Sequence, residues 1–319
     1  MRLQSFMLRA SWSKKSRGGS MRLKNKIIGG AITSASALSV VLILAIIVII
    51  LVVTIIGGKD KISWEFLTSF PKDGMMEGGV FPAIYGTALL VIIMSIAAVP
   101  FGAITAIYLS EYAHEKSWLA QTIRFAVRTL ATVPSIIFGL FGLGFFVQFV
   151  GTGMDKWFLG GQLKWAQPNL LWASLTMALL TLPVVIVSVE EAIRTVPREL
   201  REASLALGAT KWQTIWKVVI PGSISGIMTG TILAVSRGAG EVAPILFTGA
   251  AYSLATLPTS VSDQFMNLGY HIYVMSTQSS NVDKTLPIQF ATTLVLLMLT
   301  FSLNLTAVLI RSSLRRRVK

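Results

Sequence analysis

The sequence predicts an all-α, polytopic membrane protein with six transmembrane helices and both termini in the cytoplasm. Of its 319 residues, 53% are hydrophobic and only 13% are charged, whereas a soluble domain usually carries about 25% charged residues. The charges are confined to short segments between long neutral runs, and Lys and Arg are concentrated in alternate segments. The composition indicates a bilayer as part of the solvent, the runs define the spans, and the distribution of Lys and Arg predicts their orientation.

Six runs are long enough to cross a membrane. Each exceeds the roughly 20 helical residues that cross about 30 Å of hydrocarbon. Because unpaired backbone groups are costly in lipid, all six are predicted to be helices. Five runs are uncharged and one is interrupted only by Arg237 and Glu241; they are residues 27–58, 78–110, 129–154, 165–189, 218–262 and 285–310.

The basic residues give the orientation and the domain organisation. Of the 28 Lys and Arg residues, 21 fall on the side of the two termini, six fall on the opposite side and Arg237 lies within a span. The positive-inside rule therefore places both termini in the cytoplasm. The first run is an anchor rather than a secretory signal, because it is too long for a signal h-region. The predicted parts are a basic cytoplasmic N-terminal segment (1–26), the anchor (27–58), a core of five transmembrane helices (75–311) with a cytoplasmic loop (190–221), and a basic cytoplasmic tail (312–319).

Several functions are excluded by composition. The chain has no cysteine and only two histidines, His114 and His271, which lie in predicted loops and are expected to be solvated. Disulfides, Cys-ligated zinc and thiol catalysis are therefore excluded, and no metal ligand set or enzyme active site is expected. No GxxxxGK[ST] loop is present, so any ATP must be bound by another subunit. The net charge of +14 follows membrane topology rather than one basic face, so membrane lipids and not nucleic acids are expected to surround the chain.

The loop 190–221 is the largest charged segment between two spans. Pro197 fits the first turn of a helix, where its missing N–H is not needed. The next ten residues, 198–207, form a helical pattern, and Gly208 follows where a left-handed residue usually ends a helix. The sequence therefore predicts a short helix that ends at a sharp corner.

A second helix is predicted directly after this glycine. Thr210 and Gln213 have the spacing of a capping box, with Thr210 as the N-cap. The helix is expected to run from Lys211 to about Val219, because Pro221 follows before the fifth span. The corner (residues 202–211) has three possible functions: a solvated loop, a DNA-reading helix-turn-helix, or a docking site for a cytoplasmic partner. The flanking spans leave little room for a DNA duplex, which favours the partner.

Three stretches of the sequence resemble a known family of transport proteins. The EAA motif of ABC-importer permeases, E-A-A-x3-G-x9-I-x-L-P, resembles Glu202-Ala203-Ser204-x3-Gly208-x9-Val218-x-Ile220-Pro221. Ser204 replaces the third-position Ala of the motif, and Val218 and Ile220 are apolar replacements. Two further stretches, 134–142 (PSIIFGLFG) and 240–249 (GEVAPILFTG), are similar to phosphate-specific permeases of the PstA type. The similarity covers about residues 75–315.

This resemblance implies a type I ABC-importer (MetI-like) permease fold in a bacterial or archaeal plasma membrane. The implied partners are a second homologous permease subunit, a cytoplasmic ATPase dimer and an external phosphate-binding protein. ATP and Mg²⁺ would be bound in the ATPase, with no cofactor in this chain, and the spans would move substrate by alternating access. The corner would couple this chain to the ATPase through Glu202, Ala203, Ser204, Gly208, Ala209, Thr210 and Lys211.

Arg237 and Glu241 are the charged residues inside a predicted span. They are four positions apart and are predicted to lie on one face of the fifth helix. An intramembrane Arg costs at least ~2.5–3.5 kcal/mol, so the pair should face the bundle interior. In one interpretation they line the substrate pathway: Arg237 contacts an oxyanion through its planar fork of donors, and Glu241 neutralises it in the empty site. In the other, they form an ion pair that only fixes helix packing.

Small residues recur at the start of the same span. Gly222, Gly226 and Gly230 are four positions apart. This spacing favours close approach of another helix over a role in lining the pathway.

Three functions are compatible with these features. The first is a permease subunit of a phosphate importer, and the second is a permease for another oxyanion such as sulfate or molybdate. The third is a stand-alone secondary carrier or channel. The EAA-like corner argues against the third, because a self-sufficient carrier needs no docking site for an ATPase.

Overall fold

The computed structural model describes residues 2–114, 116–279 and 281–317 of the chain, and these are mostly helical. Within them, six helices are long and apolar enough to cross a membrane, which confirms the predicted number of spans. In order from span 1 to span 6 they are Ile28–Lys61, Phe81–Tyr112, Ser135–Phe158, Leu170–Arg194, Lys211–Ala239 and Val282–Ser313.

Spans 2, 3 and 5 each combine α-helix with a π-helical stretch. The π-helices are Tyr108–Tyr112, Leu143–Gly151 and Ile215–Val219, and short 3-10 helices occupy Lys59–Lys61, Asp73–Met75 and Ala243–Leu246. A two-residue antiparallel ladder pairs β1 (Pro71–Lys72) with β2 (Glu77–Gly78). The α-helices are α1 (Arg2–Gly58), α2 (Trp64–Thr68), α3 (Phe81–Ile107), α4 (Trp118–Leu130), α5 (Ser135–Gly142), α6 (Thr152–Phe158), α7 (Leu170–Arg194), α8 (Arg198–Ala206), α9 (Lys211–Thr214), α10 (Ile220–Ala239), α11 (Leu268–Gln278) and α12 (Val282–Arg317).

The chain divides into two compact units, Met1–Ile56 and Gly57–Lys319. In the first unit, α1 is apolar on every side in its membrane-spanning part, and hydroxyls within it donate to carbonyls of the same helix. Ser39 and Thr54 donate to the carbonyls four residues earlier, at 2.9 and 2.7 Å. This is what lipid requires, because no water is available to hydrogen-bond a polar group there. The predicted N-terminal segment is helical from Arg2, and residue 1 lies outside the described residues.

Span 4 is the centre of the second unit. Of the 25 residues of α7, 14 are buried, and the helix packs along α3 on one side and α10 on the other. Close approach to α3 depends on Gly102, because a Cβ there would lie 2.5 Å from a methyl carbon of Val185. The predicted basic tail, 312–319, continues α12 to Arg317, and its last two residues lie outside the described residues.

The segment after α10 does not leave the bundle as a helix. Ala243–Leu246 forms a 3-10 turn that packs on α5, the first half of span 3, and Phe265 is fully buried in the core with Leu90, Met94 and Met177. Irregular backbone in a membrane-spanning bundle is tolerated only where it is buried in protein or lines a polar cavity. The contacts with α5 and with the core cover this segment with protein.

His271 in α11 is buried, which corrects the expectation that it is solvated. Its side chain is 2% exposed, and neither ring nitrogen has a hydrogen-bond partner in the described part of the chain. Burial disfavours the charged imidazolium and lowers the pKa of His271 to about 4. The folded protein therefore holds this imidazole neutral at physiological pH.

His271 is expected to make the protein less stable in acid. An unfolded His has a pKa of about 6.5, so below that pH the unfolded state binds a proton that the folded state refuses until about pH 4. This difference removes roughly 3 kcal/mol from the free energy of unfolding as the pH falls from 6.5 to 4. The unfolding temperature in detergent measures the effect. His271→Leu should flatten the pH dependence, whereas His114→Leu, at an exposed position, should not; an unchanged pH dependence in His271→Leu contradicts this account.

Candidate functional site

The corner is built as the sequence predicts. The helix α8 ends at Ala206, and Gly208 has a φ of +86°, a left-handed conformation that favours glycine. Thr210 then caps α9: its hydroxyl accepts the backbone N–H of Gln213 at 3.2 Å, and the Gln213 side chain accepts the N–H of Thr210 at 2.9 Å. The capping box and the left-handed glycine are both confirmed.

A hydrogen bond joins the two helices of the corner, and most side chains of the corner are exposed. Ser204 of α8 and Thr214 at the end of α9 share a hydrogen bond of 2.9 Å, which fixes the angle between the two helices. Glu202, Ala203, Gly208, Thr210 and Lys211 are exposed, whereas Ser204 and Ala209 are half-buried. Leu207 at the tip is 89% exposed. Within the described residues, the tip of the corner is therefore left uncovered.

The predicted break before span 5 is absent. Pro221 lies at the start of α10, after the π-helical turn Ile215–Val219, and the helix is continuous from Lys211 to Ala239. Proline is tolerated there because it lies in the first turn of α10, directly after the π-helical turn. The second helix of the corner, α9, is therefore continuous with α10.

Arg237 and Glu241 line one cavity at the end of the helix Lys211–Ala239 that is away from the corner. The cavity has a volume of roughly 280 Å³, and its walls come from spans 3, 4 and 5 and the segment before span 3. Its lining residues are Leu130, Ala131, Val133, Pro134, Ser135, Leu180, Thr181, Val184, Ala234, Arg237, Gly238 and Glu241.

The predicted ion pair between Arg237 and Glu241 does not form. The helix α10 ends at Ala239 with Gly240 as its C-cap, so Glu241 lies beyond the helix rather than one turn along it. In the described part of the chain, neither side chain has an ion pair or a hydrogen bond. Both charged groups border the same cavity without neutralising each other by contact.

The cavity can attract an anion from two directions. Arg237 supplies a guanidinium, and the N-terminus of α5 begins at Ser135, where the first backbone N–H groups have no partner within the helix. Thr181 is a weaker candidate, because its hydroxyl donates to carbonyls of its own helix. Glu241 borders the same cavity, and its negative charge opposes anion binding.

The glycine stripe on α10 packs against span 4, as predicted. A Cβ at Gly226 would lie 2.7 Å from that of Ala192, and one at Gly230 would lie 2.4 Å from that of Ser188. Gly238, beside Arg237, approaches Thr181 equally closely. The stripe therefore sets the position of α10, and of Arg237, relative to α7.

Two groups of ion pairs at the ends of the spans were missed from the sequence. Arg201 contacts Glu111 at 2.9 Å, while Arg124 and Arg194 both contact Glu190. The partners in the Arg201 and Arg124 pairs are 90 and 66 residues apart, beyond any local pattern. In the sequence, these ion pairs are indicated only by the position of Glu111 near the predicted cytoplasmic end of span 2 and of Glu190 near that of span 4.

These features define a class of protein. Six membrane-spanning helices, an exposed corner at one end of a span and a cavity bordered by two charged side chains are typical of a transporter's membrane subunit. The chain belongs to the family of binding-protein-dependent transport system inner membrane components, which its residues 98–319 match.

Three relatives are similar over most of the chain. A phosphate transport system permease protein PstA of Xylella fastidiosa is 30% identical over 300 residues, 91% of this chain and 96% of its own. PstA 1 of Mycobacterium tuberculosis is 35% identical over 240 residues, 75% and 73% of the two chains. A probable ABC transporter permease protein, YqgI of Bacillus subtilis, is 32% identical over 235 residues, 70% and 75% of the two.

Solved structures share the fold at low sequence identity. A bacterial alginate ABC transporter, solved in complex with an alginate pentasaccharide-bound periplasmic protein, aligns with a TM-score of 0.61 at 16% identity. The alignment covers 89% of this chain and 93% of that one. The inward-facing methionine ABC transporter MetNI aligns with a TM-score of 0.54 at 19% identity, over 74% and 94% of the two chains. The MetI-like permease fold is confirmed.

The glycine stripe gives a direct test of the packing. Gly230→Ala should lower the unfolding temperature of the purified protein, because overpacking against Ser188 costs about 1–3 kcal/mol. Gly153→Ala is the matched control: it is also helical, but its Cβ would meet no atom within 4 Å, so the temperature should stay equal or rise. Equal effects of the two substitutions would show that the stripe is not a packing surface.

Proposed function

We propose that this chain is a transmembrane permease subunit of an ATP-driven importer of inorganic phosphate. It moves phosphate from an external binding protein to the cytoplasm by alternating access. The observation that carries the proposal is the continuous helix Lys211–Ala239, with the exposed corner at one end and Arg237 in the cavity near the other. A movement of the corner therefore displaces Arg237, the group that attracts the anion.

Phosphate as the substrate is supported by the relatives and by the chemistry of the cavity. Relatives named as phosphate transport permeases align with most of this chain, one of them with 96% of its own length. Arg237 is always charged, and its planar fork of donors matches the oxygens of a tetrahedral oxyanion. Glu241 lowers the affinity without filling the cavity, which suits a site that must release its anion. Sulfate and molybdate are the competing substrates.

ATP hydrolysis belongs to a separate cytoplasmic ATPase dimer in this proposal. The corner, through Glu202, Gly208 and Lys211, inserts into a cleft of the ATPase and follows its closure as a rigid body. A second homologous permease subunit forms the other half of the pathway. An external phosphate-binding protein delivers the substrate, as in the alginate transporter, which was solved with its periplasmic protein.

The proposed orientation places the corner and both termini in the cytoplasm. Its support is the excess of Lys and Arg, 21 against six, on the side of the corner and the termini. The membrane is the plasma membrane of a bacterium or archaeon. The cytoplasmic loop 190–221 is then on the side where ATP is available.

Arg237 tests the substrate role. Arg237→Gln should reduce phosphate uptake roughly 10- to 100-fold, through the loss of ~1.5–3 kcal/mol of charge-assisted hydrogen bonding, and Arg237→Lys should retain part of it. Uptake of radiolabelled phosphate at equal protein level is the measurement, and Lys156→Gln, exposed at the end of span 3, is the control. Full uptake by Arg237→Gln leaves this residue only a packing role. Uptake of radiolabelled sulfate or molybdate, together with no uptake of radiolabelled phosphate by the unaltered protein, identifies another oxyanion.

Gly208 tests the role of the corner. A Cβ at Gly208 would meet no atom of this chain within 4 Å, so only its backbone conformation restricts substitution. Gly208→Val, which resists a left-handed φ at a cost of about 1–2 kcal/mol, should abolish uptake and leave membrane insertion intact. Gly208→Asn, which tolerates that conformation, should retain more uptake. Normal uptake by Gly208→Val at normal protein level contradicts the coupling role, and uptake without any ATPase indicates a stand-alone carrier.

A further inference from the structure

Arg201 joins three separate elements at one end of the bundle. It belongs to α8 of the corner, and its guanidinium contacts Glu111 through Nε at 3.2 Å and Nη2 at 2.9 Å. The same Nη2 donates to the carbonyl of Ile193 at 2.9 Å, and Nη1 donates to that of Val196. The side chains of Arg201 and Glu111 are only 19% and 10% exposed.

These contacts link the corner to spans 2 and 4 together. Glu111 lies in the π-helical last turn of span 2, while Ile193 and Val196 lie at and just after the end of span 4. A guanidinium holds its donors in one rigid plane, so contacts to two elements fix their relative position. Arg201 also satisfies carbonyls at the C-terminus of α7, where cations are favoured by the helix dipole.

A second link reaches the neighbouring residue of span 2 from the other side of the corner. The Lys211 ammonium, at the start of α9, lies 5.0 Å from the ring centroid of Tyr112, within the range of a cation–π interaction. Glu111 and Tyr112 are therefore held by the two helices that meet at Gly208. Both helices of the corner therefore contact the end of span 2.

Span 2 is not adjacent to the corner in the chain, and apart from this link it follows the corner only through its packing on span 4. The corner is joined through the chain only to span 4, before α8, and to span 5, after α9. Arg201 and its neighbour Glu202 point to different sides of α8, because adjacent residues on a helix face different directions. Arg201 is turned toward the bundle, whereas Glu202 is exposed.

We propose that Arg201 and Glu111 are positioning residues that transmit the movement of the corner to span 2, with Lys211 and Tyr112 as a second contact. This inference rests on the proposed function, because it assigns the path by which ATPase closure reaches one further span. Without the link, span 2 follows the corner only through its packing on span 4, and less phosphate is transported for each ATP hydrolysed.

The experiment measures phosphate transported per ATP hydrolysed by the complete transporter in liposomes. Glu111→Gln removes the charge but keeps an acceptor of similar size. At an equal amount of assembled complex, we expect its ratio of phosphate to ATP to fall about tenfold, equivalent to ~1.4 kcal/mol. Glu191→Gln is the matched control, because Glu191 is exposed, near the end of span 4, and has no ion pair in the described part of the chain; its ratio should be unchanged.

Charge exchange separates transmission from simple stabilisation. Arg201→Glu and Glu111→Arg should each lower the ratio, and the double variant should recover part of it, because the attraction is restored while the carbonyl contacts of Arg201 are not. Tyr112→Leu, which leaves no buried charge unpaired, should lower the ratio more mildly. It serves as the second variant if Glu111→Gln does not accumulate in the membrane.

An unchanged ratio in Glu111→Gln overturns the inference, as does a loss of uptake matched by an equal loss of assembled complex. For Tyr112→Leu, an unchanged ratio has the same meaning. The proposed function fails separately, if the unaltered transporter moves no phosphate. When sulfate or molybdate is the transported anion, the ratio is measured with that anion, and the same outcomes decide the inference.

Discussion

The reversal of the chain at Gly208 is the constraint on which the proposed mechanism depends. A left-handed glycine and a capping box turn α8 into α9 within four residues, and a hydrogen bond between Ser204 and Thr214 fixes the angle. Because α9 is continuous with span 5, a force on the corner moves a rod that ends beside the cavity. A flexible loop in this position would absorb that force.

The lipid environment explains the rest of the architecture. Every backbone group in hydrocarbon must be paired inside the protein, so span 5 can end at Ala239 only because the irregular segment that follows is packed on α5 and α7. The end of the helix at Ala239 leaves Arg237 in the last turn of α10 and Glu241 outside it, so that two charges border one cavity without a direct contact.

Local sequence patterns predicted the spans, the left-handed glycine and the capping box, because each depends on composition or on residues within a few positions of one another. The end of α10 could not be predicted in this way, because it depends on the packing of the following segment, Ala243–Leu246, against α5 and α7. The same limit applies to Arg201 and Glu111, which are 90 residues apart, and to His271, whose burial depends on tertiary packing. The continuity of the helix through Pro221 was missed because the sequence pattern does not show that a π-helical turn precedes the proline and that Pro221 lies in the first turn of α10.

The central claim is that the corner lies on the cytoplasmic side and contacts an ATPase. The chain contains no cysteine, so Leu207→Cys places a single thiol at the 89% exposed tip. A membrane-impermeant maleimide should label this thiol in inside-out vesicles but not in intact cells, and a thiol cross-linker should join it to an ATPase subunit of the same transporter. Labelling from outside the cell, or the absence of any cross-link to an ATPase in the assembled transporter, would contradict the account.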